Sequence, residues 1–138
     1  MNATTKRLLL DASVWIGARQ PESPYYEECR VLVVDPAYPV AALDLTMHEV
    51  ANALGARDDR AEEAVDMCRL IDGRCGDSIV CADPMLIRSA LRFAGDHRLT
   101  AYDAAYVAAC HREDWKLVSL DVKHLVSKGL AVTPDAAV

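Results

Sequence analysis

Short apolar runs alternate with amphipathic helical patterns along the whole chain. Runs that are brief, almost wholly apolar and bounded by polar or turn-forming residues predict buried strands. These lie at residues 7–10, 39–43, 78–82 and 116–120, with a further edge strand at 131–133. Apolar residues at helical spacing predict helices at residues 23–34, 46–57, 61–71, 84–94, 100–111 and 123–128. Strands that alternate with helices in this way indicate an α/β fold with a largely parallel sheet.

Several helix boundaries carry their own sequence signals. Ser23-Pro24 and Asp83-Pro84 each place a capping side chain before a proline, which predicts a helix start. Asp72-Gly73 and Gly95 predict helix ends, because glycine is common just beyond the last helical turn.

The composition is that of one ordinary globular domain. With 138 residues, 52% of them apolar and 26% charged, the chain is large enough to bury a core, and we expect a single domain over 1–138. No apolar stretch reaches the roughly 18 residues that a membrane span needs. The three leucines at 8–10 are fewer than the roughly 7–15 apolar residues of a secretory signal. We therefore expect a cytoplasmic protein.

Five cysteines are present, at positions 29, 68, 75, 81 and 110. None forms a Cys-x-x-Cys pair, and no histidines accompany them at zinc-binding spacing. The sequence favours small buried thiols in a reducing compartment over a zinc site.

Four carboxylates stand in apolar stretches where a charged residue is unexpected. They are Asp11, Glu49, Asp103 and Asp121. An isolated buried charge is costly, so such a group must be paired, protonated or bound to a metal. Because Lys and Arg are nearly absent beside them, a shared divalent cation is the simplest explanation, and it would bring hydrolytic chemistry.

Each acid also has an ordinary structural interpretation. Asp11 and Asp121 follow predicted strands, where ligands of parallel sheets bind, but either could simply cap the next helix. Thr46 and Glu49 have the spacing of a capping box, in which the glutamate satisfies a backbone N–H. Asp103 has the same relation to Thr100.

The helix that follows Asp103 favours a functional role for that residue. Residues 104–110 are almost all apolar, and a helix that is apolar on nearly every side is a buried, central one. The free N–H groups of its first turn would then point toward whatever Asp103 faces. Ser13 and Ser119 each lie two residues from a candidate acid, and Asn52 lies three residues after Glu49, so these side chains are candidates for orienting an acid or a bound water.

The net charge of −6 argues against a nucleic-acid partner, since phosphate binding usually leaves a basic surface. Bound cations would cancel part of that charge. Basic residues also gather locally at 88–98 and 116–128. The charge therefore does not exclude nucleic acid.

Four segments carry the acids and their neighbours in order. They are residues 8–16 (Leu-Leu-Leu-Asp-Ala-Ser-Val-Trp-Ile), 49–54 (Glu-Val-Ala-Asn-Ala-Leu), 99–108 (Leu-Thr-Ala-Tyr-Asp-Ala-Ala-Tyr-Val-Ala) and 117–121 (Leu-Val-Ser-Leu-Asp). Together they resemble the motifs of the PIN-domain ribonucleases, most closely the VapC-type toxins of bacterial toxin–antitoxin pairs. In the last motif, Ser119 replaces the usual threonine and keeps its hydroxyl.

The resemblance implies a PIN-like three-layer α/β/α sandwich with a short, mostly parallel central sheet. It also implies endonucleolytic cleavage of RNA with Mg²⁺ or Mn²⁺ held mainly by Asp11 and Asp103. Glu49 and Asp121 would complete the acidic cluster. An all-oxygen site suits these hard cations.

The resemblance further implies two protein partners. One is a VapB-type antitoxin, encoded beside the toxin, whose C-terminal segment lies in a groove and blocks the acidic site. Trp15, Tyr25 and Tyr26 are candidates for lining that groove, although ordinary core packing explains them equally well. The second partner is another copy of the chain, since a homodimer is expected.

Two functions of other classes remain open at this point. A receiver-like signalling domain also binds Mg²⁺ in an acidic pocket, but it needs an adjacent pair of acids after its first strand, where this chain has Asp11-Ala12-Ser13. A PIN-like fold kept only as a catalytically silent binding module would not need all four acids. A nuclease assay with and without EDTA distinguishes these alternatives.

Overall fold

Four parallel strands form the centre of the fold in the computed structural model, which describes residues 6–138. They are β1 (Leu8–Leu10), β2 (Val40–Leu43), β3 (Ile79–Val80) and β4 (Lys116–Val118). Their order in the sheet is β3-β2-β1-β4, and every pairing between these strands is parallel. Leu9 of β1 lies opposite Ala41 of β2 and Leu117 of β4, so β1 is an inner strand. Strands β2 and β3 follow on one side of β1, and β4 lies on its other side, so strand order reverses at β1.

Helices occupy most of the remaining chain. They are α1 (Ala12–Gly17), α2 (Tyr26–Val34), α3 (Asp44–Val50), α4 (Ala61–Cys75), α5 (Pro84–His97), α6 (Ala101–Glu113) and α7 (Pro134–Ala137). Two segments have wider, π-helical turns, namely Ala51–Arg57 directly after α3 and Val122–Val126 after β4. Among residues 6–138, no helix combines the length and the apolar character needed to cross a bilayer.

The alternation of side chains along β1 divides the core into two layers. Leu8 and Leu10 face a cluster built mainly from α1, α2 and α4, while Leu9 faces a second cluster built from α5 and α6. Successive side chains of a strand point to opposite faces, so a strand covered on both sides must be apolar throughout. The predicted α/β/α sandwich with a short parallel sheet is confirmed.

The first two helices differ from the prediction. No helix is predicted at residues 12–17, yet α1 begins at Ala12, where the Asp11 side chain caps it by accepting the backbone N–H of Ser13 at 3.0 Å. The next helix has Tyr25 rather than Ser23 as its cap and begins at Tyr26 rather than at Pro24, because Tyr25 adopts left-handed backbone with a φ of 59°. The start signal at Ser23-Pro24 is therefore wrong by two residues.

Two predicted glycine stops are also wrong. Gly73 lies inside α4 and Gly95 inside α5. Glycine in an exposed helix interior lowers stability by only about 1 kcal/mol, and the packing contacts of the longer helix offset that cost. A third glycine that the sequence marks as a helix stop, Gly76, is confirmed: α4 ends at Cys75, before Gly76 with its φ of 52°. Helix α5 ends at His97, before Arg98, whose φ is 56°.

The strands are shorter than predicted. The predicted strand at 78–82 contains only two strand residues, and the one at 116–120 stops at Val118. The predicted edge strand at 131–133 reduces to a single parallel bridge between Val118 and Val132. A run of apolar residues indicates that the segment is buried between the two layers. It does not indicate at which residue the hydrogen bonds between neighbouring strands end.

Arg74, in the last turn of α4, holds the C-terminal end of α2. Its guanidinium donates hydrogen bonds of 2.9–3.0 Å to the backbone oxygens of Leu32, Val33, Asp35 and Tyr38. The last carbonyls of a helix have no partners within the helix, and a charged fork of donors satisfies several of them together. This contact fastens α2 to α4 on one face of the sheet.

We expect Arg74→Met to lower the free energy of unfolding by about 2–3 kcal/mol, because it deletes the guanidinium donors while keeping an apolar stem. Arg69→Met is the matched control, since Arg69 is exposed and forms one ion pair with Asp66 at 3.3 Å. That variant should lose no more than about 1 kcal/mol. Urea denaturation measures both values, and equal losses would contradict the assignment.

Candidate active site

The four predicted acids all lie at the carboxyl end of the sheet. Asp11 follows β1 directly, and Asp121 comes three residues after the end of β4. Glu49 lies in α3, which begins where β2 ends, and Asp103 lies in the first turn of α6, the helix that leads into β4. Parallel α/β sheets bind ligands at this edge, beside the point where strand order reverses. Here that point lies between β1 and β4.

Asp11 is a buried carboxylate, with 7% of its surface exposed. Its Oδ1 accepts hydrogen bonds from the backbone N–H and the hydroxyl of Ser13. Burial raises the pKa of Asp11 from its ordinary value of 3.8 to about 6, against the lowering effect of hydrogen bonds from Ser119 and Ser13, and the charge of Glu49 raises it further. Asp11 is therefore a carboxylate in an environment that strongly disfavours its negative charge.

Two serine hydroxyls connect the ends of β1 and β4 around Asp11. The Ser13 hydroxyl accepts the backbone N–H of Leu120 at 2.9 Å, and the buried Ser119 hydroxyl accepts the backbone N–H of Asp121 at 2.9 Å. Each hydroxyl thus contacts Asp11 on one side and the segment after β4 on the other. The two serines fix the distance between the segments that carry Asp11 and Asp121.

Glu49 is held by a tyrosine of a different helix. The hydroxyl of Tyr106, in α6, donates to Glu49 Oε1 at 2.7 Å. Burial raises the pKa of Glu49, the Tyr106 hydrogen bond lowers it, and the charge of Asp103 raises it. The pKa of Tyr106 is raised well above its ordinary value, first by burial, so the phenol keeps its proton.

The capping-box interpretation of Glu49 is wrong. Helix α3 begins at Asp44, two residues before the predicted start, and Thr46 lies within its first turn. The Thr46 hydroxyl accepts the backbone N–H of Leu43 at 3.1 Å, so Thr46, and not Glu49, supplies the side-chain capping hydrogen bond at the start of α3. Glu49 therefore does not cap α3.

Asp103 lies at the start of the central helix. Thr100 caps α6 by accepting the Asp103 backbone N–H at 3.2 Å, and residues 104–109 of that helix are all buried, as predicted. Burial raises the pKa of the half-buried Asp103 carboxyl, and the charge of Asp121 raises it further, while His124 and Lys128 lower it. Basic groups therefore lie beside the acids on this side of the site.

Asp121 begins the π-helical turn after β4. Its Oδ1 accepts the backbone N–H of His124 at 2.9 Å, and its Oδ2 lies 3.1 Å from the Nδ1 of the same residue. The capping interpretations of Asp121 and Asp11 are both correct, since each side chain caps the segment that follows it. In Asp11 the capping contacts all fall on Oδ1, whereas in Asp121 both oxygens contact His124.

The acids form a row of mutually repelling charges. Glu49 raises the pKa of Asp11, Asp103 raises that of Glu49, and Asp121 raises that of Asp103. Within residues 6–138, no three His, Cys, Asp or Glu side chains lie in an arrangement that could hold a metal ion.

A groove of about 330 Å³ opens beside this row of acids. It is lined by Leu45, His48, Glu49, Asn52 and Tyr102. Asn52 is exposed and lies on the π-helical segment after α3, next to Glu49 on the wall of the groove. The exposed Tyr102, beside Asp103 in the first turn of α6, forms part of the facing wall.

Comparison with known proteins identifies the fold family. The model of the family described as the PIN domain matches residues 8–126. The chain belongs to the PIN-domain family. Ribonuclease VapC3 of Pyrobaculum aerophilum is 32% identical to it over 133 residues, which cover 93% of this chain and 99% of that relative. The receiver-like alternative is therefore wrong.

Solved structures share the fold of this chain at low sequence identity. A toxin–antitoxin complex from Klebsiella pneumoniae contains a chain with a TM-score of 0.69 at 18% identity, covering 92% of this chain and 97% of that one. VapC20 of Mycobacterium tuberculosis, described as a Sarcin-Ricin loop cleaving toxin, gives a TM-score of 0.68 at 15% identity, covering 88% and 95%. At these identities the likeness shows a common fold.

Two residues of the site, Tyr106 and Thr46, are not among the predicted site residues. The available signal is that a buried tyrosine needs a hydrogen-bond partner for its hydroxyl, and Tyr106 lies in an otherwise apolar helix.

Of the aromatic residues proposed for a groove, Trp15 is completely buried in the core, so its proposed groove role is wrong. Tyr25 remains 37% exposed.

We expect the metal-free protein to lose stability through Asp11 as the pH rises from about 4 to about 6. The folded state has the higher pKa, so it binds more protons than the unfolded state over this range, and stability falls as those protons leave. Asp11→Asn removes this pH-dependent contribution to the free energy of unfolding. In EDTA, the variant should match the wild type near pH 4 and exceed it by up to about 3 kcal/mol at pH 7.

Urea denaturation at several pH values measures the difference between the two proteins. Asp66→Asn, at an exposed position, is the control and should track the wild type across the range. A stability difference between wild type and Asp11→Asn that does not change with pH would contradict the raised pKa.

Proposed function

We propose that this PIN-domain protein is a metal-dependent endoribonuclease and the toxin of a toxin–antitoxin pair. The observation that carries the proposal is the buried Asp11, whose hydrogen-bonding partners among residues 6–138 are neutral serines, beside three further acids at the functional edge of the sheet. The 32% identity to a ribonuclease along almost the whole of both chains supports RNA as the substrate.

The donor set suits Mg²⁺ or Mn²⁺. Carboxylate oxygens are the ligands that these hard cations prefer, and Mg²⁺ commonly binds through one or two carboxylates and keeps several waters. Asp11 and Asp103 would hold the ion, and Glu49 and Asp121 would lie around it. When bound, the cation lowers the pKa of a coordinated water and neutralises charge that develops on the phosphate.

The chain's own residues would prepare the site for that chemistry. The Ser13 and Ser119 hydroxyls orient Asp11, so its free oxygen points in one direction before any ligand arrives. The Lys128 ammonium and the His124 ring, both of which affect Asp103, are suited to contact RNA phosphates next to the acids. A locally basic wall would thus draw an anionic substrate to a protein with a net charge of −6.

An antitoxin partner of the VapB type is the second part of the proposal. One of the related structures is described as a toxin–antitoxin complex, which supports a protein partner of this kind. A repelling row of carboxylates offers a binding place to an arginine of such a partner, because a guanidinium pairs with carboxylates through two hydrogen bonds. A segment bound in that way would compete with both metal and RNA. A homodimer remains an expectation of the family.

We expect Asp11→Asn and Asp103→Asn each to reduce RNA cleavage by at least about 100-fold with the fold intact, because an amide does not supply the anionic oxygen that a hard cation needs. Asp114→Asn is the matched control, at an exposed position whose left-handed φ of 58° asparagine also tolerates. It should cleave within about twofold of wild type, since it lies outside the site. EDTA should stop cleavage by the wild type and by the control.

The measurement is cleavage of a mixed RNA pool with Mg²⁺ or Mn²⁺, alongside circular dichroism of each variant. Near-normal, metal-dependent cleavage by either site variant would show that the metal ligands are misassigned. Cleavage of the pool by wild type that continues in EDTA would contradict metal dependence.

We expect expression of this chain alone to arrest growth of a suitable bacterial host, with RNA fragments detectable soon afterwards. Co-expression of the neighbouring gene should restore growth, because its product would occupy the acidic site. Asp11→Asn should be harmless and should still bind that partner in a pull-down assay. Arrest that persists with Asp11→Asn would show that toxicity does not depend on the acidic site.

A further inference from the structure

A series of three hydrogen bonds ends on Glu49. The Leu43 backbone N–H donates to the Thr46 hydroxyl oxygen at 3.1 Å, and that oxygen lies 2.7 Å from the hydroxyl of Tyr106. The Tyr106 hydroxyl in turn lies 2.7 Å from Oε1 of Glu49. The series starts at the end of β2, passes through α6 and returns to α3 at the candidate site.

The protons of this series have one consistent arrangement. Glu49, when ionised, accepts only, so Tyr106 must donate its single hydroxyl proton to it. The Tyr106 oxygen then accepts the proton of Thr46, whose own oxygen accepts the fixed backbone N–H of Leu43. Every dipole therefore points toward the glutamate, and hydrogen bonds aligned in this way strengthen one another.

The groups behind Glu49 are rigid. Thr46 is completely buried and Tyr106 is 2% exposed, so neither hydroxyl has bulk water as an alternative partner. Glu49 itself is only half-buried and lies on the wall of the groove. A glutamate side chain loses considerable rotamer freedom when it is fixed, and here a packed tyrosine on another helix fixes it.

The hydrogen bond also opposes electrostatic repulsion. Glu49 lies near enough to Asp11 and Asp103 for their charges to interact, and like charges push a flexible carboxylate toward solvent. Tyr106 holds Oε1 against that force, which leaves Oε2 as the oxygen free to face the groove. Because Asp103 and Tyr106 lie three residues apart on α6, one helix both carries one acid and holds another.

We propose that Tyr106 is a positioning residue for the reaction, and that Thr46 locks its hydroxyl so that the Glu49 carboxylate is held facing the other acids. This inference rests on the proposed nuclease function for its activity measurement. Tyr106 is buried beneath the site, so it acts on RNA cleavage only through Glu49. The effect should therefore fall on kcat, with KM for RNA little changed.

The first experiment removes single hydroxyls. Tyr106→Phe should lower kcat by about 10- to 100-fold, the usual cost of losing a group that orients an active-site ligand. Thr46→Val should lower it in the same direction, and Thr46→Ser should retain most of the activity, because serine keeps the hydroxyl. Tyr38→Phe is the matched control, since Tyr38 lies just before β2 at the opposite edge of the sheet and contacts the core there.

The second experiment tests whether Tyr106 acts through Glu49. Tyr106→Phe is made in the wild type and in Glu49→Ala, and both cleavage and the Mn²⁺-induced rise in melting temperature are measured. In the wild-type background, the Mn²⁺ concentration for half of that rise should increase about tenfold. In the Glu49→Ala background, adding Tyr106→Phe should change either quantity by less than about twofold, because the group being positioned is gone.

The outcomes separate this inference from the proposed function. Equal losses from Tyr106→Phe in both backgrounds would show a general structural role and overturn the inference. Retention of wild-type kcat and Mn²⁺ response by a folded Tyr106→Phe protein would also overturn it. If the wild type cleaves no RNA, the proposed function fails while the Mn²⁺ measurement still decides the Tyr106–Glu49 coupling. A wild type that neither cleaves RNA nor responds to Mn²⁺ overturns both.

Discussion

The burial of the Asp11 carboxylate at the end of the central strand constrains the rest of the site. A carboxylate that is 7% exposed needs neighbouring dipoles to remain in place, and the structure provides them through Ser13 and Ser119. Those same hydroxyls accept backbone N–H groups from the segment after β4. The requirement to satisfy one buried acid thus also sets the separation of the two strand ends between which the site lies.

Two different devices hold the acids of this site. Asp11 and Asp121 are fixed locally, since each caps the turn that follows its strand and accepts N–H groups from residues two or three positions away. Glu49 is fixed by a tyrosine 57 residues further along the chain. Local caps survive wherever the strand and its turn form, whereas the Glu49 contact depends on how closely α3 and α6 approach each other. The orientation of Glu49 is therefore the part of the site most sensitive to helix packing.

The stability of the fold and the electrostatics of the site oppose each other. Each acid of the row raises the pKa of its neighbour, so the metal-free site costs folding free energy. The two apolar layers around β1 and the fastening of α2 by Arg74 offset that cost at a distance from the acids. The solved structure of VapC20, at 15% identity, shares the fold, so a quite different sequence supports the same arrangement of strands and helices.

The sequence by itself determined the layers and the location of the acids. Short, uniformly apolar runs bounded by turn-forming residues predict strands covered on both faces, and an acid directly after such a strand, as Asp11 is, lies at the carboxyl edge of the sheet. The tertiary structure alone decided that Trp15 is core, that α4 continues through Gly73, and that Tyr106 holds Glu49. The reason is physical: hydrogen bonds across 57 and 60 residues depend on the packing of whole helices, and no local periodicity encodes that packing.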